Sequence, residues 1–103
     1  MSLNQNNINE LKKSFDYLVQ RNYEVQGDVK TAIDSEDYLI AVNIISNYVK
    51  LVDEFMKKTL NMAQNYKEKA DDKNASTCSK IVKMAEHIKT AHLEVKKTIL
   101  ENI

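Results

Sequence analysis

The chain contains no proline, no tryptophan, one glycine and one cysteine among its 103 residues. An average chain of this length would have about five prolines and seven glycines, which are the usual residues of tight turns. Their scarcity argues against a strand-rich fold with many turns. A single glycine also excludes a glycine-rich loop for binding phosphate.

An excess of charge of one sign is also missing, because 15 basic and 15 acidic residues give a net charge of zero. A dedicated nucleic-acid binder should have a basic surplus, so nucleic acid is not a predicted partner. No signal peptide is expected, and the sequence has no apolar run of about 18 residues. The lone Cys78 cannot form an internal disulfide and is interpreted as a buried, inert thiol. These features predict a cytoplasmic protein with no membrane span.

Apolar residues spaced by three and four positions are abundant, and this spacing is typical of amphipathic helices. Three such segments predict an all-α fold, an antiparallel three-helix bundle with a long middle helix. Residues 1–6 are expected to be disordered and residues 7–103 to form a single domain. The first helix is predicted to begin at the N-cap Asn7, with Glu10 completing a capping box. Its seam, the apolar stripe that faces the other helices, continues past Gly27. This seam favours one helix to about Ile33, with a break or bend considered near Gly27.

The middle helix is predicted over residues 35–70, with Asp34 or Ser35 as its N-cap. A polar loop over residues 71–77 then precedes a third helix that starts at Ser76 or Thr77. The middle helix would be the longest, so residues 60–70 should project from the bundle. The predicted seam of the third helix comprises Cys78, Ile81, Ala85, Ile88, His92, Val95 and Ile99.

Asn22 is the polar member of the first seam, at a position where buried amides often set the register of helices at some cost in stability. If the amide is buried in the seam, Asn22→Leu should raise stability by about 1 kcal/mol or more.

The middle helix has a second apolar stripe beside its seam. One interpretation is that this is simply the most buried helix of a monomer. The other is that the stripe contacts a protein partner or a second copy of the chain. Ile44→Asp with Leu51→Asp would separate the two, since a core would unfold and an interface would only lose its partner. The partner-binding residues predicted by the second interpretation are Ile40, Ile44, Tyr48, Leu51 and Phe55.

Chemistry-bearing residues are few. His87 and His92 lie about 140° apart around a helix, so they cannot share one metal ion, and no set of catalytic residues is evident. The chain is therefore predicted to be non-catalytic, with no metal and no cofactor. An alternative is a haem or small-ligand carrier with His92 in the bundle core and a methionine as the second ligand.

Two short pieces of the chain resemble parts of microtubule-interacting-and-trafficking domains, namely Tyr38-x-x-Ala41 and Ala85-Glu86-x-Ile88-Lys89. Those domains are three-helix bundles that bind partner helices or strands in their grooves. The resemblance implies a peptide site at Glu86, between helices two and three. The spacing between the pieces is longer than in that family, and Met84 stands where the family often has arginine, so the chain is not assigned to it.

The function predicted from these observations is a non-catalytic helical module for protein–protein interaction, acting as a homodimer or with another protein. The alternative that remains open is the small-ligand or haem carrier with His92 in the core.

Overall fold

A computed structural model describes residues 5–103, and within that range it contains three helices and no strand. They are α1 (Gln5–Asp34), α2 (Tyr38–Glu68) and α3 (Asp72–Glu101). Helices of 30, 31 and 30 residues fit side by side within a longest dimension of 51 Å, at about 1.5 Å per residue. The predicted all-α three-helix bundle is confirmed.

The start of α1 differs from the prediction. The helix already includes Gln5, so Asn7 lies inside it and is not an N-cap. Of the predicted disordered segment, residues 1–4 lie outside the described range. Gly27 does not interrupt the helix, which continues to Asp34, and this agrees with the unbroken seam.

The first connection is a Schellman turn, a helix ending closed by a residue in the left-handed conformation. Glu36 has a φ of 61°, and the N–H groups of Glu36 and Asp37 donate to carbonyls in the last turn of α1 at 2.9 and 2.8 Å. Asp37 is then the N-cap of α2, without a side-chain capping bond. The predicted N-caps, Asp34 and Ser35, are wrong because they are still part of the ending of α1.

The second connection repeats this geometry. Ala70 has a φ of 58°, and the N–H groups of Ala70 and Asp71 donate to carbonyls in the last turn of α2 at 3.0 and 2.8 Å. Asp71 also starts the next helix, because its carboxylate accepts from the backbone N–H of Asn74 at 3.2 Å. One residue therefore belongs to the end of one helix and the start of the next, and the connection needs neither glycine nor proline.

The predicted loop over residues 71–77 is therefore wrong. Helix α3 begins at Asp72, not at Ser76 or Thr77, and Ala75 is already buried in the core. The polar composition of this segment reflects an exposed first turn rather than a loop. With three helices of nearly equal length, the predicted projection of residues 60–70 is also wrong, since Ala63 and Tyr66 pack into a cluster with Ala75 and Cys78.

The core consists of two clusters along the bundle axis. One is centred on Leu18, Ile45 and Val52, and the other contains Ile8, Tyr66 and Cys78. Phe15 and Phe55 pack against both clusters, with ring centroids 5.9 Å apart, and so join them. The sequence predicts that the seam of α1 consists of Ile8, Leu11, Phe15, Leu18, Asn22, Val25, Val29 and Ala32. All of these except Phe15 and Asn22 are buried, which confirms the helical register from the sequence.

The residue types at two backbone positions are the reverse of what their conformations favour. Ala70→Gly is expected to stabilise the fold by about 1 kcal/mol, because glycine has no Cβ to strain the left-handed conformation.

Gly27→Ala is expected to stabilise the fold by about 0.5–1 kcal/mol, because alanine favours a helix interior and the added Cβ meets nothing within 4 Å. Urea unfolding measures both changes. If Ala70→Gly destabilises the protein, the left-handed turn is not formed in solution.

Candidate functional site

The predicted stripe on α2 does not form one free surface. Tyr48 is only 3% exposed and belongs to the core, while Ile44 and Phe55 are half-buried against it. Ile40 and Leu51 remain exposed, at 53% and 36%. The stripe lies where α1 packs on α2, and α1 therefore covers its middle.

A different surface is left open, because α1 and α3 each pack mainly on α2 and contact each other much less. Two hollows lie between α1 and α3, and together they are called the α1/α3 groove. The near hollow has a volume of about 300 Å³, and Ile45 of α2 forms part of its floor. Its apolar walls are Val29, Ile33, Ala91 and Val95, and its polar side chains are Gln26, Lys30 and His92.

The far hollow lies towards the other end of the same two helices and has a volume of about 370 Å³. Phe15, Ile81 and Met84 supply its apolar surface. The charged side chains that line the two hollows are Lys12, Asp16, Lys30 and Lys80. Three lysines against one aspartate give the groove a positive rim, although the whole chain is neutral.

A polar cluster lies beside the near hollow and has members from all three helices, namely Asn22 and Gln26 of α1, Tyr48 of α2 and His92 of α3. Nε2 of His92 lies 2.6 Å from Oδ1 of Asn22, which also accepts from Nε2 of Gln26 at 3.2 Å. The ring of His92 meets that of Tyr48 edge-on at 4.8 Å, and the Tyr48 hydroxyl donates to the Leu18 carbonyl at 2.6 Å. The cluster thus holds one histidine by contacts from both α1 and α2.

Burial keeps the two ionisable side chains of this cluster, His92 and Tyr48, in their neutral forms. His92 is 5% exposed, and desolvation lowers its pKa below the ordinary value, so its imidazole is neutral at physiological pH. Desolvation likewise raises the pKa of Tyr48 to about 12, partly opposed by Arg21. Because Oδ1 of Asn22 can only accept, Nε2 of His92 carries the proton in the neutral ring and Nδ1 is an acceptor.

The Asn22–His92 pair was not predicted. Its members lie 70 residues apart, and no local pattern says which residues of two different helices face each other. One signal was available, since both occupy seam positions in their own helices and are polar. A buried polar group requires a partner, so two of them in one small core could have been paired.

The other chemistry-bearing residues do not form a site of their own. His87 is exposed, and in residues 7–103 no three side chains among His, Cys, Asp and Glu converge in a way that could hold a metal ion. Cys78 is buried, as predicted, and burial raises the pKa of its thiol. Glu86 is exposed on α3. His92 does lie in the core, as the carrier alternative requires, but its Nε2 is already bonded to Asn22.

The α1/α3 groove has mainly apolar walls, and its charged residues lie at the rim. It can accommodate apolar side chains between two helices, and its lysines can pair with carboxylates beside them. None of the helices in residues 5–103 combines the length and apolar character needed to cross a membrane. Comparison of the chain with protein-family models, with curated proteins and with solved structures finds no significant match.

Proposed function

We propose that the protein is a non-catalytic interaction module that holds an amphipathic helix of a partner protein in the α1/α3 groove. The observation that carries this proposal is the open face between α1 and α3, the one pair of helices that pack weakly together. A helix placed there would complete a four-helix arrangement, which is a common way to cover such a face.

The dimensions of the groove favour a helix of moderate length. From Phe15 to Ile33, α1 spans roughly 27 Å at about 1.5 Å per residue, which corresponds to about five turns of a partner helix. Apolar side chains spaced by three and four residues on that helix would enter the near and far hollows in succession. Met84 and Val95 would contact them directly, because both are exposed on α3.

The positive charge of the rim favours acidic residues beside the apolar face of the partner helix. Lys12, Lys30 and Lys80 outnumber Asp16 around the hollows, so acidic residues on either side of the apolar face would be attracted. These charges are solvent-exposed, and their effect should weaken with salt. We therefore propose an acidic amphipathic helix in a cytoplasmic protein, rather than a nucleic acid.

The test is a selection of helical peptides from a random display library on the immobilised chain. We expect the selected peptides to have apolar residues at helical spacing with acidic flanks. Met84→Glu with Val95→Glu should weaken their binding at least about tenfold, or about 1.4 kcal/mol. The matched control is Leu93→Glu with Leu100→Glu, which adds the same charge to the same helix.

The control is well matched because the four side chains are between 39% and 49% exposed, so neither pair should unfold the chain. Leu93 and Leu100 line a different hollow, away from α1. Equal effects of the two pairs on binding would reject the groove as the binding site. A homodimer in solution that dissociates on Leu51→Asp would instead favour the stripe predicted from the sequence.

A further inference from the structure

One side chain that lines the near hollow has a hydrogen-bonding atom that the fold itself does not use. His92 lines this hollow and is 5% exposed. Its Nε2 is bonded to Asn22, whereas its Nδ1 has no hydrogen-bond partner among the residues that the structure describes. Among the described residues, every fully buried side-chain nitrogen or oxygen has a hydrogen-bond partner. Because Nδ1 of His92 has no such partner, this atom is not fully buried and remains in contact with solvent.

The charged surroundings of His92 are mainly cationic. Lys30 of α1 lines the same hollow, and its pairing with Asp34 at 3.2 Å is an exposed contact that holds it weakly. From α2, the ring of Tyr48 touches His92. Within α3, Lys89 and Lys96 are the charged residues one helical turn away, and Lys89 is paired with Asp53 at 2.6 Å. The two carboxylates among these groups, Asp34 and Asp53, are paired with Lys30 and Lys89 and not with the imidazole.

We propose that the near hollow is a carboxylate site, in which a glutamate or aspartate of the partner helix binds between His92 and Lys30 and His92 takes up a proton. The inference rests on the proposed function and specifies one residue of the partner. The apolar walls, Val29, Ile33 and Val95, would surround the stem of that side chain.

The proton balance is simple. The carboxylate enters ionised and remains so, while Nδ1 of His92 gains one proton from solvent and donates a charge-assisted hydrogen bond to a carboxylate oxygen. Nε2–H continues to donate to Asn22, so the imidazolium has a partner at each nitrogen. In the free chain burial disfavours this charge, and the incoming negative charge reverses that preference.

The first experiment uses n-octanoate as the probe, with n-octanol as its uncharged control. We expect octanoate to bind about tenfold more tightly at pH 6 than at pH 8, because proton uptake and binding are linked. Calorimetry in two buffers with different ionisation enthalpies should show an uptake of up to one proton. The nitrogen-15 shift of His92 Nδ1 should move towards that of an imidazolium with octanoate but not with octanol.

Two variants check the assignment. Lys30→Gln should weaken octanoate binding, and it should leave the fold intact because the lysine side chain is largely exposed. His92→Gln should abolish the pH dependence. Octanoate that does not bind, or that binds without proton uptake or a change at Nδ1, would overturn the proposal.

The acidic peptides selected on the groove separate the two proposals. Peptides that bind in the groove and take up no proton would leave the proposed function standing and reject the carboxylate site. Octanoate that protonates His92 on a chain that selects no helical peptide would support the carboxylate site and reject the partner helix.

Discussion

Replacing Tyr48 with alanine is expected to lower the free energy of unfolding by about 3–5 kcal/mol, a large part of the stability of a domain of this size. Tyr48 is 3% exposed and touches all three helices, since its hydroxyl bonds the Leu18 carbonyl and its ring meets His92. Its removal would leave a cavity, and the Leu18 carbonyl would keep only its hydrogen bond within α1. Urea unfolding followed by circular dichroism measures the loss.

Two further variants separate the contributions. Tyr48→Phe keeps the ring and removes the hydroxyl, so it should cost about 1 kcal/mol, the usual net value of one hydrogen bond. Leu51→Ala, one turn further along the predicted stripe, should cost less than Tyr48→Ala because Leu51 is already exposed. If Tyr48→Ala and Leu51→Ala have equal small effects, both residues lie on a surface and α1 does not cover Tyr48.

The helices themselves could be predicted from the sequence, whereas their connections could not. Apolar spacing determines which face of a helix is buried, and the seam of α1 is buried as that spacing requires. The turns contain no such signal, because Glu36 and Ala70 adopt the left-handed conformation that glycine usually occupies. Without glycine to mark the second turn, the sequence predicts a loop over the polar residues that follow it.

The candidate site depends on how the helices are arranged around one another, and a single sequence does not contain that information. The sequence shows that the stripe on α2 is apolar, but it does not show that α1 covers Tyr48 and leaves Ile40 and Leu51 exposed. The open face lies between α1 and α3, helices that are not consecutive in the chain. The groove residues do not stand out in the sequence of either helix. They form a groove only when both helices pack on α2.

Asn22→Leu is expected to destabilise the protein by about 1–3 kcal/mol, the reverse of what the seam alone predicts. The sequence suggests that an apolar residue should improve the seam. The structure shows that Oδ1 of Asn22 is the partner of His92 Nε2 at 2.6 Å, so leucine would leave a buried N–H without an acceptor. Gln26 would also lose its bond to Asn22, at little cost because that contact is exposed.

A double-mutant cycle decides between the two expectations. Replacing Asn22 and His92 together by leucine removes donor and acceptor at once, so the double variant should be more stable than either single variant. Asn22→Gln keeps an amide and serves as the control for the change in size. The free energies of unfolding in urea give the coupling, and strictly additive effects would show that no hydrogen bond joins the two residues. Coupling between them would establish that α1 and α3, which otherwise touch little, are held together beside the groove by this pair.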